Sequence, residues 1–305
     1  MPEPTPCRCM TRRGLLLGTG TLLLTACASP GPKPDSTPTA SQTSTSPQTE
    51  STPTASGMTT NSPSPTPTQL ALPTRDDIVA RFQGRKPTQW GMEVTGVVTR
   101  TPGPAVALTL DACGGPNGSK VDTELVDFLI AERFPAALFL NRRWIEANRT
   151  TFDKLAANDQ FTIGNHGTRH MPLSVTGKSA YGEQGTANAG EVYDEVAGNH
   201  LFLTELLGRP PRFFRTGTAW YDEVAVEIVR ALGEIPIGFD VNADAGATYP
   251  KATVVSETER ATKGSIVIGH FNQPKGSTFE GLSVALPALR DRGLTFARLD
   301  DLAVS

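Results

Sequence analysis

Cysteine is scarce in this chain of 305 residues, with four in all, at positions 7, 9, 27 and 113. Four cysteines so unevenly placed exclude a disulfide scaffold. Histidine is equally rare, at four residues, and aromatics make up only 7% of the chain. No run of Lys and Arg occurs, and the formal net charge is −3, which together argue against a nucleic-acid partner. No apolar stretch reaches the roughly 20 residues needed to cross a bilayer, so a polytopic membrane protein is excluded. No G-x-G-x-x-G follows the first apolar run, and a dinucleotide-binding sheet loses ground accordingly.

What the N-terminus does have is an address. Arg12 and Arg13 precede the apolar segment Gly14 to Leu24, which ends in Leu24-Thr25-Ala26-Cys27. A basic start, a short apolar stretch and small residues at its end make a secretory signal. The ending resembles a bacterial lipobox, with Cys27 as the lipidated first residue of the mature protein, and the paired arginines also fit a twin-arginine signal. Met10 opens a more natural signal peptide than Met1, which would leave Cys7 and Cys9 outside the mature chain. Residues 1–27 are thus read as a lipoprotein signal and 28–72 as a linker. Between Ser29 and Thr68, 29 of 40 residues are Ser, Thr or Pro. Such a segment has almost nothing to bury against its ordering entropy and is expected to be disordered. As a coil it reaches about 35 Å, and it would hold a domain off the outer face of a bacterial cell membrane.

From residue 73 to 305 the composition becomes globular. Apolar runs at 105–111, 136–141, 161–165, 212–215, 235–240, 265–270 and 295–299 read as seven strands. Helical periodicity at 74–83, 121–133, 144–157, 191–207, 221–232, 256–262 and 281–292 accompanies them, and 90–99 reads as extended. This alternation predicts α/β architecture with a parallel sheet, as an irregular (β/α)7-type barrel.

Polar residues fall at the ends of these strands. Asp111, His166, Arg215, Asp240 and His270 each end one, and His170 follows His166 closely. A barrel gathers chemistry there, because the loops beyond its strand ends converge on one mouth. His166 and His170 stand four apart, so one helical turn would aim both imidazoles the same way, an arrangement suited to a divalent transition metal. His200 lies inside a helix and reads as structural.

Five segments then recur in order: LTLDACGG at 108–115, HGTRH at 166–170, RFFR at 212–215, FDVNAD at 239–244 and IVIGH at 266–270. Together they resemble the motifs of the polysaccharide deacetylase family (the NodB-homology domain, carbohydrate esterase family 4), over roughly residues 105–299. The resemblance implies metal-assisted removal of acetyl groups from a sugar polymer in a distorted barrel. It makes Asp111 the general base, His166 and His170 metal ligands, and Arg215 the partner of the base. Asp240 or Asp244 would support the general acid His270, and Ile268 would wall the acetyl methyl. The metal implied is zinc, with cobalt or nickel as alternatives. The polymer would be peptidoglycan, a chitin-like glycan or acetylated xylan.

The chain departs from the family pattern in two places. The usual metal-binding carboxylate after the base is Ala112, and a methyl group binds no cation. Asp111 turning toward the metal, or Cys113 offering a thiolate, would fill the gap, although a cysteine there reads first as a small buried residue. Arg215-Thr-Gly-Thr replaces Arg-Pro-Pro-Tyr, leaving Thr218 to offer a backbone donor to an oxyanion. Trp220 and Tyr221 form a candidate platform for a sugar ring, the alternative being that Tyr221 starts the next helix with Trp220 packed on it. Asn117, Asn165 and Asn272 are candidates for sugar hydroxyls or for turn chemistry. Three functions stay open: a deacetylase with an altered metal site, a metal-independent amidohydrolase on a non-sugar substrate, and a non-catalytic glycan-binding wall protein. A binding module would have no need for both Asp111 and His270.

Overall fold

The computed structural model describes residues 72–304, so the signal segment, Cys27 and nearly all of the proposed linker lie outside the described residues. Seven parallel strands are present: β1 Ala107–Ala112, β2 Ala136–Leu140, β3 Phe161–Asn165, β4 Phe213–Phe214, β5 Ile235–Pro236, β6 Val241–Asn242 and β7 Ile266–His270. Their order in the sheet is β5-β4-β3-β2-β1-β7-β6. β5 and β6 occupy opposite edges, yet only residues 237–240 separate them in the chain. That short connection requires the sheet to curl until its edges come near one another. Val98 lies at this closure, donating to the Pro236 carbonyl and accepting from the Gly238 amide.

The helices are α1 Arg75–Phe82, α2 Thr123–Ala131, α3 Arg142–Ala147, α4 Arg149–Ala156, α5 Ala189–Leu207, α6 Glu223–Ala231, α7 Lys251–Thr258 and α8 Thr278–Asp291. Local sequence sets their starts. Thr74, Asp122, Asn141, Asn188 and Asp222 each accept a bond from an amide of the first turn, satisfying donors that the helix itself leaves open. Gly208 stops α5 in the left-handed conformation. Among the described residues no helix is long and apolar enough to cross a membrane.

Strand alternation sorts the side chains. Leu108, Leu110 and Ala112 face outward and pack with Leu125, Leu129, Trp144, Leu282 and Leu286 of the covering helices. Ala107 faces the interior of the curl beside Ala137, Phe139, Phe213 and Ile266. Two-residue periodicity puts Thr109 and Asp111 on that same inner side. The register brings the mouth into line: Asp111 pairs with Phe139 on one side and with His270 on the other.

The barrel expectation holds, with local corrections. Of the run 235–240 only Ile235–Pro236 is strand, as β5, because the backbone of Ile237 and Gly238 turns to bond Phe214 and Val98 instead of a single neighbour; β6 starts beyond the run, at Val241. Residues 295–299 form no strand: Phe296 makes one isolated bridge to Val106, and Leu299–Asp301 is a 3-10 turn. The helix expected at 144–157 is two, broken at Asn148, whose Nδ2 donates to the carbonyls of Ser119 and Trp144. The helix expected at 256–262 begins five residues earlier, after Pro250, a residue suited to helix starts.

Candidate active site

Arg215 follows β4 and is fully buried. Its guanidinium donates from Nη1 to Asp111 Oδ1 and to Thr109 Oγ1, both at 2.8 Å. Nε donates to the Ile237 carbonyl and Nη2 to that of Gly238. The Phe139 ring lies 4.4 Å beneath it, a distance at which a cation is attracted to the ring face. The buried charge is therefore matched by one carboxylate and three neutral acceptors, and Asp111 is held with its second oxygen turned toward the imidazoles. Asp111 Oδ2 lies 3.7 Å from His166 Nε2.

His166 and His170 converge, but not by a helical turn. Residues 166–170 form a loop in which Gly167 and His170 both adopt positive φ, 77° and 70°. The rings stand edge to face with centroids 5.1 Å apart. A positive φ at a histidine is strained, and Glu195 of α5 stabilises it. This buried carboxylate accepts from the amides of Arg169, His170 and Met171. Burial raises its pKa despite those amides, which favour the charged form. On the other side Gly217 packs directly against His170, leaving no room for a Cβ.

Each imidazole has its Nδ1 engaged. His166 Nδ1 lies 2.9 Å from the Arg215 carbonyl, and His170 Nδ1 lies 3.1 Å from Glu183 Oε2. In a neutral ring, donation from Nδ1 turns the Nε2 lone pair inward, the tautomer a metal ligand requires. His170 Nε2 is buried and has no hydrogen-bond partner. Cys113, also buried, puts its sulfur 4.0 Å from His166 Nε2. One ligand atom from each of Cys113, His166 and His170 falls within 4.8 Å of the others. Tetrahedral zinc needs such atoms about 3.3–3.7 Å apart, so contraction by about 1 Å brings the three into range of one ion. Burial opposes ionisation of the Cys113 thiol, but attraction to His170 holds its pKa well below the ordinary value, and the same attraction raises that of His170.

His270 faces Asp111 from the end of β7. Its Nδ1 lies 2.8 Å from Asp244 Oδ1, and its amide donates to Asp244 Oδ2 at 2.7 Å. Thr278 donates to the same carboxylate. Beside this pair opens a small cleft, lined in part by Asp111, His270, Ile268, Thr218, Met92 and Tyr181. The cleft and the imidazole cluster together can hold a cation, take a proton at a carboxylate and deliver one from an imidazole.

The expected residues divide clearly. Asp111, His166, His170, Arg215, Asp244, Ile268, Thr218 and His270 are brought together. Asp240 is not. It pairs with Arg100 and bonds Ser265 and the Ile266 amide, at the start of β7 and about 13 Å of strand from His270. Tyr221 is no platform for a sugar: it is fully buried, and its hydroxyl accepts the Thr216 amide at 2.9 Å. Burial pushes that hydroxyl well above its ordinary pKa. Trp220 stacks obliquely on Trp90, with centroids 5.5 Å apart, and lines a neighbouring groove. Asn165 is committed to the Val196 carbonyl and Glu234 inside the fold, and Asn272 is buried with its Nδ2 on the Gly118 carbonyl. His200 is structural as expected, its Nδ1 2.8 Å from Glu234.

Sequence reasoning missed Glu183, Glu195 and Tyr181. Glu195 carried a readable signal, since it sits on the helix face of Val192, Val196 and Leu203, where a charged residue needs a buried partner. Glu183 and Tyr181 lie in a loop without periodicity and gave none.

The sequence model of the polysaccharide deacetylase family matches residues 99–234. No curated protein sequence matches the chain significantly. Among solved structures, a CE4 family pseudoenzyme from Bacillus anthracis is similar at 19% identity, over 69% of each chain, with a TM-score of 0.57. PdaA of Bacillus subtilis, a family 4 carbohydrate esterase, is similar at 18% identity over 74% of this chain and 87% of its own, TM-score 0.54. A peptidoglycan N-acetylglucosamine deacetylase is similar at 20% identity over 68% of this chain and 92% of its own, TM-score 0.57. These likenesses carry the fold.

Two substitutions test the support of His170. Glu195→Ala leaves three amides without their acceptor and is expected to destabilise the domain by roughly 3 kcal/mol. Gly217→Ala drives a methyl group into His170 and is expected to cost about 1–3 kcal/mol. Thermal unfolding of both variants reads these losses, and wild-type midpoints would contradict the geometry.

Proposed function

Residues 99–234 belong to the polysaccharide deacetylase family, hydrolases that act on the C–N bond of N-acetyl groups, and from that premise we propose that this chain removes acetyl groups from an envelope glycan with metal assistance. The observation that carries the reading is the pair of buried dyads, Asp111 with Arg215 and His270 with Asp244, set side by side on adjacent strands and opening on one cleft.

Asp111 is the general base. Its Oδ1 is occupied by Arg215, so Oδ2 accepts the proton of the water that adds to the acetyl carbonyl. His270 is the general acid: Asp244 fixes Nδ1 as the protonated nitrogen and stabilises the imidazolium, and Nε2 delivers a proton to the departing sugar nitrogen. Acetate and a free amine result. Ile268 supplies an apolar wall for the acetyl methyl, and the backbone at Thr218 offers a donor to the developing oxyanion. His166 and His170, with both Nε2 atoms turned inward, would hold the divalent cation, zinc by preference with cobalt or nickel as alternatives. A cation there supplies Lewis-acid polarisation of the acetyl carbonyl.

Peptidoglycan is the favoured substrate. The lipobox-like Leu24–Cys27 and the Ser/Thr/Pro-rich segment support an extracytoplasmic protein tethered to the outer face of a bacterial membrane, beside that polymer. One protein of similar fold is itself a peptidoglycan N-acetylglucosamine deacetylase. Retention of both dyads favours catalysis over a purely glycan-binding role.

Acetate release from peptidoglycan, chitin oligomers and acetylated xylan tests the reading. The wild type is expected to release acetate, and Asp111→Asn and His270→Ala each to lower kcat/KM by about 10²- to 10⁴-fold. A chelator is expected to stop the reaction and zinc to restore it. Variants as fast as the wild type, or turnover indifferent to chelator, would overturn the mechanism.

A further inference from the structure

The family carboxylate that would complete the metal site is absent, because position 112 is alanine. The Ala112 methyl points outward into the helical core beside Leu140 and Trp144. The next side chain, Cys113, enters the mouth beside His166 and His170. It is 5% exposed and stands 4.0 Å from His166 Nε2. A buried cysteine alone would be an ordinary small core residue. Here a second observation points the same way: His170 Nε2 is buried, faces the same space and has no partner. Leaving a buried nitrogen unpaired is costly, and an ion shared with the sulfur would remove that cost. The sulfur and one nitrogen from each histidine lie within 4.8 Å of one another.

We infer that Cys113 supplies a thiolate as the third protein ligand of the metal centre, replacing the missing carboxylate with a Cys-His-His set. The inference rests on the metal-assisted reading above and specifies its ligands. Three protein ligands with a fourth position open are the pattern of catalytic zinc sites. A thiolate shifts preference toward softer ions, zinc or cobalt, and away from magnesium or manganese. Binding is a simple exchange: the Cys113 S–H bond breaks, a sulfur–metal bond forms with the same electron pair, and the proton passes to solvent.

Cobalt(II) loaded into the full-length chain provides the test. The wild type is expected to show a near-ultraviolet thiolate-to-cobalt charge-transfer band, absent in Cys113→Ser and Cys113→Asp. The other three cysteines are present in every variant, so a band that survives in Cys113→Ser comes from them and overturns the inference. Zinc competition with a chromophoric chelator gives a second readout. Cys113→Ser is expected to bind zinc at least about tenfold more weakly, and Cys113→Asp to retain stoichiometric metal while binding manganese better than the wild type does. Far-ultraviolet dichroism of the metal-free proteins separates lost ligation from lost fold. A wild type that binds no cobalt, or binds it without the band, contradicts the assignment, as does unchanged zinc affinity in Cys113→Ser. If hydrolysis remains chelator-sensitive in those cases, the metal-assisted reading survives and only the thiolate ligand falls. Chelator-insensitive hydrolysis removes the reading itself.

Discussion

A guanidinium with no access to water must find acceptors inside the protein, and Arg215 finds its carboxylate on β1. Arginine keeps its charge under all ordinary conditions, and stranding that charge in the interior is expensive. The solution spans the curl: Thr109 and Asp111 from β1, and the Ile237 and Gly238 carbonyls from the connection between β5 and β6. The Phe139 ring of β2 forms the floor. One side chain thus ties β1 to the closure of the sheet. The same contacts give Asp111 a single orientation, with one oxygen committed and the other turned toward the imidazoles.

The rest of the mouth repeats that logic. Each histidine there has its Nδ1 held by a named acceptor: a backbone carbonyl for His166, Glu183 for His170, Asp244 for His270. Orientation is therefore imposed from outside the cluster, which leaves the inward nitrogens and the Cys113 sulfur to face one another. Glu195 performs the equivalent service for the backbone, holding the loop that carries His170 in a conformation it would not adopt alone. Preorganisation of this kind is what a hydrolytic site needs, because groups already in position need not be ordered during the reaction.

Much of this was legible in the sequence, for a physical reason. Strands buried on both faces are apolar runs, so a polar residue closing such a run stands out, and Asp111, His166, Arg215 and His270 were found that way. Register did the remainder, since parallel pairing sets Asp111 level with His270. Other features were illegible because they depend on tertiary contact. The two-residue strands β4, β5 and β6 carry too little periodicity to bound. Asp240 ends an apolar run as convincingly as Asp244 follows one, yet the break between β5 and β6 leaves it beside Arg100. Tyr221 reads as either a sugar platform or a helix start until its hydroxyl is seen to accept the Thr216 amide. The spacing of His166 and His170 suggested a helical turn, whereas a glycine and a left-handed histidine bring the rings together.

The account stands or falls on the coupling between Arg215 and Asp111, and a double-mutant cycle on unfolding free energy measures it. Asp111→Ala and Arg215→Met, each made alone, are expected to cost about 3–5 kcal/mol, because either leaves a charge buried without its partner. The double variant is expected to lose clearly less than the sum of the two. Effects that add to within about 0.5 kcal/mol would mean that the pair does not organise the mouth of the barrel.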